Sequence, residues 1–389
     1  MRSRKNCSIN SQEVHGYAKS WLGEKLSIGD HGPKCTKTVV LEVLLLAAAR
    51  LTSIFDVCKD LSRAPTGKAV SDALLATLPA VVKLENELNH ALCIKVPKAL
   101  TRRKRPVAVD LTLVPYHGQP YEDEKEIYRS KPKSGTSHFH AYATAYVVHK
   151  GFHYTLAVTR VERGEKMEEV LKRLLPRVRD RGVSIEYLLL DRGFFSANVV
   201  RYLRNARYPF LMPVAFRGRA KKDANGKLTG LRAFLHKKNG WYTYTHTGQD
   251  KRRVNLNICV ASRVYDDDKT GRKRVKKLVY TAWRIKRSPI DIREDYRRRF
   301  GIETRYRQMN QARIYTCTRN PLLRLLYVGI ALILTNVWVW LHYTFFAERD
   351  NIEPTLHLEK LRFKTMLRWI CQVVERELHD GELHYVLLD

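Results

Sequence analysis

Acidic residues are scarce in this sequence relative to basic ones. Its 389 residues include 39 Asp and Glu against 71 Lys and Arg, which gives a formal net charge of +32 at pH 7. The 44% hydrophobic content argues against a disordered basic protein, because such chains contain too few apolar residues to build a core. A folded surface this positive attracts phosphate backbones and releases their counterions. The composition therefore favours nucleic acid as the partner over a membrane surface, which is the competing explanation of basic charge.

Several common sequence signals are absent as well. The seven cysteines are scattered singly with no CxxC pair, which excludes zinc-ribbon spacing. Their odd number and wide spacing suit the reduced thiols of a cytosolic protein. The basic N-terminus lacks the apolar segment of a signal peptide. The chain also lacks a Walker A motif, so we expect no nucleotide cofactor.

The first hundred residues have the pattern of a helical region. Residues 39–49 form an apolar run that is too short to span a bilayer, which predicts a buried helix. Residues 53–61 and 65–75 predict two short helices around a turn, arranged either as a helix-turn-helix or as a plain helical hairpin. The basic residues 101–106 predict a linker or a strap that contacts phosphates. We therefore predict a helical DNA-binding region over residues 1–104.

A β-rich block follows and predicts one mixed sheet. Apolar or alternating runs at 107–114, 138–149 and 154–161 predict three strands. A helical pattern at 164–181 precedes a continuous apolar run at 185–190, which is typical of a buried central strand. A further helix and strand follow. This element order predicts an α/β fold in which helices flank a mixed sheet.

The rest of the chain divides by composition into three parts. A basic, glycine-containing segment with strand-like runs predicts a β-rich insertion, a helical segment then returns to the main domain, and an amphipathic segment predicts a helical tail. The predicted boundaries are 105–216 and 286–346 for the two parts of the sheet domain, 217–285 for the insertion and 347–389 for the tail.

An apolar run at 322–346 supports the strongest competing interpretation, a membrane-anchored basic protein. Residues 325–341 carry no formal charge, and the run is close to the length of a membrane span. However, Arg324 lies at one end, Asn336 lies in the middle, and a helix buried in a large core has the same pattern. We therefore predict a buried core helix and no membrane association.

Residues 287–316 carry the first candidate functional side chains. Ser288 and Pro289 predict a helix start, with Ser at the cap and Pro in the first turn. Tyr296, Arg299 and Glu303 follow at helical spacing, so they share one helical face. A carboxylate on so basic a helix suits a metal ion beside a polyanion, although an exposed, salt-bridged Glu has the same pattern.

Two aspartates on predicted strands strengthen the metal hypothesis. Asp110 lies within the strand VAVDLT, and Asp191 ends the apolar strand YLLL. An aspartate inside or just past a buried strand is costly to ionise without a partner. Mg²⁺ and Mn²⁺ accept such oxygen ligands, and two cations about 4 Å apart are the arrangement for in-line phosphoryl transfer. Together with Glu303, these residues predict a two-metal site.

The order of these elements and residues resembles a known family. The order strand-Asp, two strands, helix, strand-Asp and helix-Glu is similar to the RNase H-like catalytic domain of DDE transposases. The sequence DRGF at 191–194 and the spacing Y-(2)-R-(3)-E at 296–303 look like the signature of the IS4-related group. HFHAYAT at 138–144 and the apolar run at 325–343 look most like the ISH3 family of archaeal insertion-sequence transposases. The resemblance covers residues from about 107 to 346.

The resemblance implies roles for individual residues. Asp110, Asp191 and Glu303 would form the catalytic and metal-binding triad for two Mg²⁺ or Mn²⁺ ions. Tyr296 and Arg299 would contact phosphates of the transposon end. The signature continues E-(6)-K, but Asn310 stands at that lysine position. Further DNA-binding candidates are Arg192, Arg307, Arg102, Arg103, Lys104 and Arg105.

The expected function is cut-and-paste DNA transposition. The resemblance implies that the chain binds the terminal inverted repeats of its own element, cleaves the ends and joins the 3′-OH to target DNA. Its partners would be double-stranded DNA and at least one further copy of the chain, in a cytoplasmic, nucleoid-associated location. The alternatives are an RNase H-like nuclease without strand transfer and a DNA-binding derivative without catalysis.

Overall fold

The fold is known from a computed structural model, which describes residues 9–149, 152–248, 250–266, 271–299, 309–348 and 355–378. Six helices come first, one helix then follows each of two later strands, and three helices end the described chain. The helices are α1 (Ser11–Lys25), α2 (Lys37–Arg50), α3 (Ile54–Asp60), α4 (Gly67–Thr77), α5 (Val81–Leu92), α6 (Lys98–Thr101), α7 (Met167–Arg179), α8 (Ala197–Asn205), α9 (Pro289–Arg298), α10 (Pro321–Leu341) and α11 (Phe363–Leu378).

Nine described strands form one continuous sheet. The central strand β1 pairs in parallel with β5 and antiparallel with β3, and β6 continues the parallel side. Beyond β6 the order is β9, β8, β7, all antiparallel, so the predicted insertion extends the same sheet. The strands are β1 (Arg105–Pro115), β2 (Tyr128–Lys133), β3 (Thr136–His149), β4 (Phe152–Val161), β5 (Ile185–Leu190), β6 (Phe210–Pro213), β7 (Gly240–Thr247), β8 (Arg253–Asp266) and β9 (Lys273–Trp283).

The two faces of this sheet bury cores of unequal size. On one face, alternate residues of the central strands, such as Val109 and Leu190, join a large core with most of the helices. The other alternate set, including Ala108 and Leu189, packs in a small core with Ile292 and Tyr296 of α9. The sheet therefore has one face covered by the large core and a second face on which α9 packs.

The outer edge of β4 is closed by side chains from helices. An edge strand otherwise exposes a row of unpaired backbone groups. Asn89 of α5 accepts from the Val158 N–H at 2.9 Å and donates to the Val158 carbonyl at 2.8 Å. Asn336 of α10 accepts from the Thr155 N–H at 2.8 Å and donates to the Thr155 carbonyl at 2.7 Å. Glu85 accepts from the Arg160 N–H at 2.7 Å. These contacts attach the helical layer to the sheet.

The apolar run at 322–346 forms α10 and a π-helical turn, His342–Phe346. Pro321–Phe346 is long and apolar enough to cross a membrane, but 94% of its most apolar window is buried inside the fold. Asn320 caps its start by accepting from the Leu322 N–H at 2.8 Å. The helix contacts α1, α5 and β4, so the prediction of a buried core helix is confirmed.

Most predicted elements are present with small changes in their bounds. The predicted buried helix near residue 40 is α2, and the two short helices around a turn are α3 and α4. The predicted start of α9 is confirmed, since the Ser288 hydroxyl accepts from the Asp291 N–H at 3.2 Å. One strand was missed: β2 has the polar sequence YRSKPK, which shows no apolar alternation because all six of its side chains are partly or fully exposed at the edge of the sheet.

Candidate active site

The register between β1 and β5 brings the two predicted aspartates together. Val109 of β1 pairs in parallel with Leu190 of β5; Asp110 is the next residue of β1, and Asp191 is the first residue after β5. Side chains alternate along a strand, so both aspartates point to the face opposite Val109 and Leu190, the face covered by α9. The two carboxylates therefore meet beside α9 without any special loop.

Asp110 lies in a largely dry environment. Its side chain is 17% exposed, and its Oδ1 accepts from the Leu111 N–H at 2.8 Å. Burial raises the pKa of Asp110 to about 6, the Arg299 guanidinium opposes that rise, and Asp191 adds to it. Desolvation thus outweighs the single nearby positive charge. The carboxylate is a group for which a further cation would be a favourable partner.

Asp191 is more accessible and is oriented by a turn. It precedes a 3₁₀ turn, Arg192–Phe194, and its Oδ2 accepts from the Gly193 N–H at 3.3 Å. Its side chain is 41% exposed, and Arg192 beside it is exposed. The DRGF sequence therefore places one carboxylate at the open side of the site, with a basic side chain next to it.

Arg299 bridges the two aspartates. It follows the last residue of α9, and its guanidinium lies 3.4 Å from Asp110 Oδ2 and 3.1 Å from Asp191 Oδ1. The guanidinium also lies 5.0 Å from the centre of the Tyr296 ring, and the Arg299 side chain is 9% exposed. The sequence predicted a contact between Arg299 and DNA phosphate; the structure places its guanidinium on the two carboxylates, and the phosphate contact stays a prediction.

Tyr296 is a buried wall of the site. It is 4% exposed, its hydroxyl donates to the Leu190 carbonyl at 3.4 Å, and its ring lies 5.2 Å from that of Tyr280. Burial raises the pKa of Tyr296, so the hydroxyl stays protonated. Its predicted contact with a DNA phosphate also stays a prediction, since in this structure the hydroxyl faces a strand carbonyl.

The charges of the site do not cancel. Two ionised carboxylates and one guanidinium leave a net charge of −1 among Asp110, Asp191 and Arg299. The guanidinium lies between the oxygens of both aspartates, which shows that the pair can hold one positive charge in common. Carboxylate oxygens are the ligands that Mg²⁺ and Mn²⁺ prefer. The donor set therefore fits a divalent cation.

The other predicted site residues are distributed as follows. Glu303 and Arg307 lie outside the described residues. Arg102, Arg103 and Lys104 are exposed between α6 and β1, as a phosphate-contacting strap requires. Arg105 differs from them: it is 7% exposed, and its guanidinium donates to the Ala99 carbonyl at 2.9 Å. The structure gives Arg105 an internal contact at the start of β1.

Sequence reasoning missed a residue that holds α9 in place. The Arg287 guanidinium donates to Glu186 Oε1 at 2.9 Å and to Asp295 Oδ2 at 2.5 Å, which joins α9 to β5. The Arg287 carbonyl accepts from the Trp241 indole at 3.0 Å, which joins the same point to β7. The sequence contains no signal for these contacts, because one partner lies 101 residues away.

A basic cleft of about 850 Å³ opens beside the DRGF turn. It runs from Gly193 to the strand β7 of the insertion, and its lining combines aromatic rings with arginine and lysine side chains. Burial first, and Arg217 second, lower the pKa of His246 in this lining, so that ring is neutral near pH 7. Residues that line the cleft include Phe195, Phe216, Arg217, Arg219, Lys221, Arg232, Tyr244 and His246.

Comparisons with known proteins agree with this arrangement. Residues 101–334 match the family model described as "Transposase DDE domain". The chain is similar to the piggyBac transposase in the cryo-EM structure of its synaptic complex with hairpin DNA, with a TM-score of 0.58 and 11% identity over 98% of this chain and 84% of that one. No curated protein matches the chain. The structural likeness establishes an RNase H-like fold, and since the family model covers more than half of the sequence, the chain belongs to the DDE transposases, enzymes of DNA transposition.

Proposed function

We propose that this transposase cleaves the ends of an insertion sequence and joins the freed 3′-OH to target DNA at one two-metal site. The observation that carries the proposal is the pairing of Asp110 and Asp191 on adjacent parallel strands around a single guanidinium. Their net charge of −1 and the raised pKa of Asp110 together describe a site that needs a further positive charge. Both proposed reactions are phosphoryl transfers, so one site can serve both.

Asp110 and Asp191 would hold the divalent cations, Mg²⁺ or Mn²⁺, with Glu303 as a third ligand from outside the described residues. Such cations, when bound, stabilise the charge that develops on the reacting phosphate and make water a better nucleophile. The strands β1 and β5 fix the two carboxylates on a rigid sheet, so little reorganisation is needed when substrate binds.

Arg299 would have two successive roles at this site. Without DNA it neutralises part of the charge on Asp110 and Asp191. With DNA bound, its planar fork would hold a phosphate near the scissile bond, because a guanidinium binds phosphate in two-point geometry. The Tyr296 ring packs against the Arg299 guanidinium and would help to keep it beside the two aspartates.

Exposed basic side chains, beside the site and on the strap before β1, would bind duplex DNA. Arg192 lies beside Asp191, and Arg102, Arg103 and Lys104 form the strap before β1. With a formal charge of +32, binding would depend strongly on salt. The predicted helical region of residues 1–104 would add recognition of the terminal repeats, for which α3 and α4 provide a pair of short helices around a turn.

Three finer assignments belong to the same proposal. The DRGF box and the Y-(2)-R-(3)-E spacing support a place in the IS4-related group, close to the ISH3 family. Synapsis of two DNA ends requires a dimer or a larger assembly. DNA substrates and single, widely spaced cysteines suit a cytoplasmic, nucleoid-associated protein.

A cleavage and joining assay tests the proposal. DNA carrying the sequences that flank the encoding gene is incubated with the protein and Mg²⁺ or Mn²⁺, and precut ends are incubated with a target plasmid. We expect metal-dependent cleavage in the first reaction and covalent joining in the second. Cleavage without joining would identify a nuclease, and binding without either reaction would identify an inactive derivative; both outcomes would reject the proposal.

A further inference from the structure

The hairpin of β8 and β9 extends beyond the core of the sheet. Ala261 and Leu278 form the last cross-strand pair that packs against the small core. We call the residues beyond them, 262–266 and 271–277, the β8–β9 arm; all but Ser262 and Lys277 are exposed. At about 3.4 Å per residue, the five residues from Ala261 to Asp266 carry the arm about 17 Å away from the core.

The base of the arm is fixed to the helix that carries the active-site arginine. Arg293 of α9 donates to the Ser262 carbonyl at 2.8 Å. The Asn239 side-chain oxygen accepts from the Ser262 hydroxyl at 2.6 Å and from the Lys277 ammonium group at 3.1 Å. These bonds fix the base of the arm against α9, and the registers of β5, β6 and β9 place the arm beyond the same end of the sheet as Asp110 and Asp191.

The arm is strongly basic, and its charge is mostly uncompensated. Among its described residues, six are basic and Asp266 alone is acidic. Arg263, Lys273 and Lys276 form no ion pair with any described residue, and all three are exposed. Arg263 and Lys276 are direct cross-strand partners, and like charges directly opposite each other on adjacent strands repel, whereas Lys273 lies opposite Asp266. The basic residues of the arm are Arg263, Arg272, Lys273, Arg274, Lys276 and Lys277.

Two valines on the arm have no core to pack against. Val264 and Val275 are direct cross-strand partners, so they share one face, yet they are 58% and 63% exposed. Tyr265 beside them is 38% exposed. An apolar pair with basic neighbours matches a groove of duplex DNA, where apolar side chains contact sugars and thymine methyl groups while basic ones contact phosphates.

We propose that the β8–β9 arm is a duplex-binding ribbon that lies in a groove of the DNA, with its basic side chains on the two phosphate backbones and Val264 and Val275 inside the groove. A major groove about 12 Å wide admits a two-stranded ribbon. The proposal rests on the proposed function, since it assumes a DNA substrate. A second copy of the chain is the other possible occupant, but two such arms would place six basic residues against six.

The salt dependence of DNA binding tests the proposal. The full-length triple variant Arg263→Gln/Lys273→Gln/Lys276→Gln is compared with Arg362→Gln/Lys364→Gln/Arg368→Gln, which removes the same charge from exposed positions on and beside α11. The probe is a fluorescein-labelled duplex of random sequence, several helical turns long. The arm variant should lower the slope of log affinity against log salt by up to about 3, at roughly 0.9 for each lost phosphate contact. The control should change it by less than about 1.

A second variant and a second measurement keep the outcomes distinct. Val264→Ser/Val275→Ser should weaken binding severalfold while leaving the salt slope unchanged, because it removes groove contacts and no charge. Equal slopes of log affinity against log salt for the arm variant and the control would overturn the proposal. The proposal would also be overturned if the arm variant still bound DNA as wild type does but no longer self-associated in size-exclusion chromatography. If wild-type protein neither binds nor cleaves DNA, the proposed function fails instead of the arm.

Discussion

Two sets of polar side chains on the same sheet differ in the partners that satisfy their hydrogen bonds and charges. At the outer edge of β4, Asn89 and Asn336 each bond to both the N–H and the carbonyl of one strand residue. At the level where β1 and β5 end their pairing, Asp110, Asp191 and Arg299 bond mainly to one another. The first set is largely neutral and matched to backbone groups, whereas the second is charged and carries an excess of −1.

This difference separates stability from function. A buried amide that satisfies backbone groups contributes to folding only, and its loss leaves those groups unpaired in a dry place. The buried Asp110 and the more accessible Asp191 share one guanidinium among the described residues, so a bound cation would be a favourable further partner for them. We therefore expect substitutions of Asn89 and Asn336 at the β4 edge to lower stability, and substitutions of Asp110, Asp191 and Arg299 to lower activity.

The largest expected effect comes from the aspartates. Asp110→Ala and Asp191→Ala should each reduce the rate of end cleavage by about 10³-fold or more, because the loss of a metal ligand removes roughly 4 kcal/mol or more of transition-state stabilisation. Binding to end DNA should be nearly unchanged. Single-turnover cleavage and a filter-binding assay measure the two quantities separately.

The aspartate variants also have a stability readout. Because the pair is undercompensated, removing one carboxylate should leave the melting temperature equal or slightly higher in the absence of metal. Wild-type protein should gain melting temperature on addition of Mn²⁺, and either variant should gain much less. A variant that cleaves within about tenfold of the wild-type rate would remove that residue from the proposed metal site.

Asn336→Leu is the matching test at the β4 edge. It removes hydrogen bonds to the Thr155 N–H, the Thr155 carbonyl and the Leu92 carbonyl, all buried, so we expect a loss of about 3 kcal/mol in the free energy of unfolding. Urea denaturation measures it. The control is Thr335→Val, which should cost less than about 1 kcal/mol, because the Thr335 hydroxyl donates to the Ala331 carbonyl of its own helix and to no other described residue.

The distinction between the β4 edge and the active site would fail if Asn336→Leu changed the rate of DNA cleavage. Its single-turnover cleavage rate, corrected for the folded fraction, should equal that of wild type, since Asn336 contacts β4 and α5 and forms no hydrogen bond with Asp110, Asp191 or Arg299. A rate reduced more than about tenfold in folded protein would show that the β4 edge positions the aspartates, and the two sets would then form one functional unit.

Arg299→Lys tests the active-site charges with a smaller expected effect than the aspartate substitutions. Lysine keeps the charge but has a point-like ammonium group, which cannot bridge Asp110 and Asp191 or hold a phosphate at two points. We expect cleavage to slow by about 10- to 100-fold, with general DNA affinity nearly unchanged. Arg297→Lys is the matched control, because Arg297 lies on the same helix with its side chain 76% exposed. Equal rates for Arg299→Lys and wild type would reject the phosphate role.

The parts of this fold that could be read from the sequence are those with a local signal. The strand at 185–190 has the predicted bounds because a continuous apolar run ends abruptly at Asp191. Ser288 and Pro289 determine the start of α9 through neighbouring backbone groups. The α/β fold with a mixed sheet, and its DDE transposase family, are confirmed for the same reason: the element order and the short motifs are properties of contiguous residues.

The parts that could not be read depend on distant partners. Asn336 and Thr155 are 181 residues apart, and an Asn in an apolar helix gives no indication of which strand it meets. Arg299 reaches Asp110 across 189 residues, so its pairing with the aspartates was not foreseen. The antiparallel pairing of β9 with β6 makes the insertion part of the main sheet. Side-chain patterns likewise do not specify which strands pair. Triad geometry at Glu303 lies outside the described residues.

The smallest expected effect concerns a buried polar group that belongs to neither set. His140 of β3 is 3% exposed, and its Nε2 has no hydrogen-bond partner among the described residues. Its ring packs edge-on against Tyr116 at 5.0 Å. Burial first, then Arg324 and Arg160, lower the pKa of His140 to about 3. The folded protein therefore holds this imidazole neutral, while the unfolded chain protonates it near pH 6.5.

The sign of the pH dependence follows from that difference. Above about pH 6.5 His140 is neutral in both the folded and the unfolded state, so it does not affect stability. As the pH falls below that value, the unfolded state binds a proton that the folded state does not bind. The free energy of unfolding therefore decreases, by about 2 kcal/mol at about pH 5. His140→Phe keeps a ring beside Tyr116 and removes the titration. Urea unfolding at about pH 7.5 and about pH 5 should therefore show a smaller loss of stability for the variant than for wild type, by about 2 kcal/mol, because other titrating groups contribute equally to both proteins. An identical loss of unfolding free energy in the two proteins would mean that His140 is protonated as readily in the folded state as in the unfolded state. Burial of this imidazole would then not destabilise the folded protein at low pH.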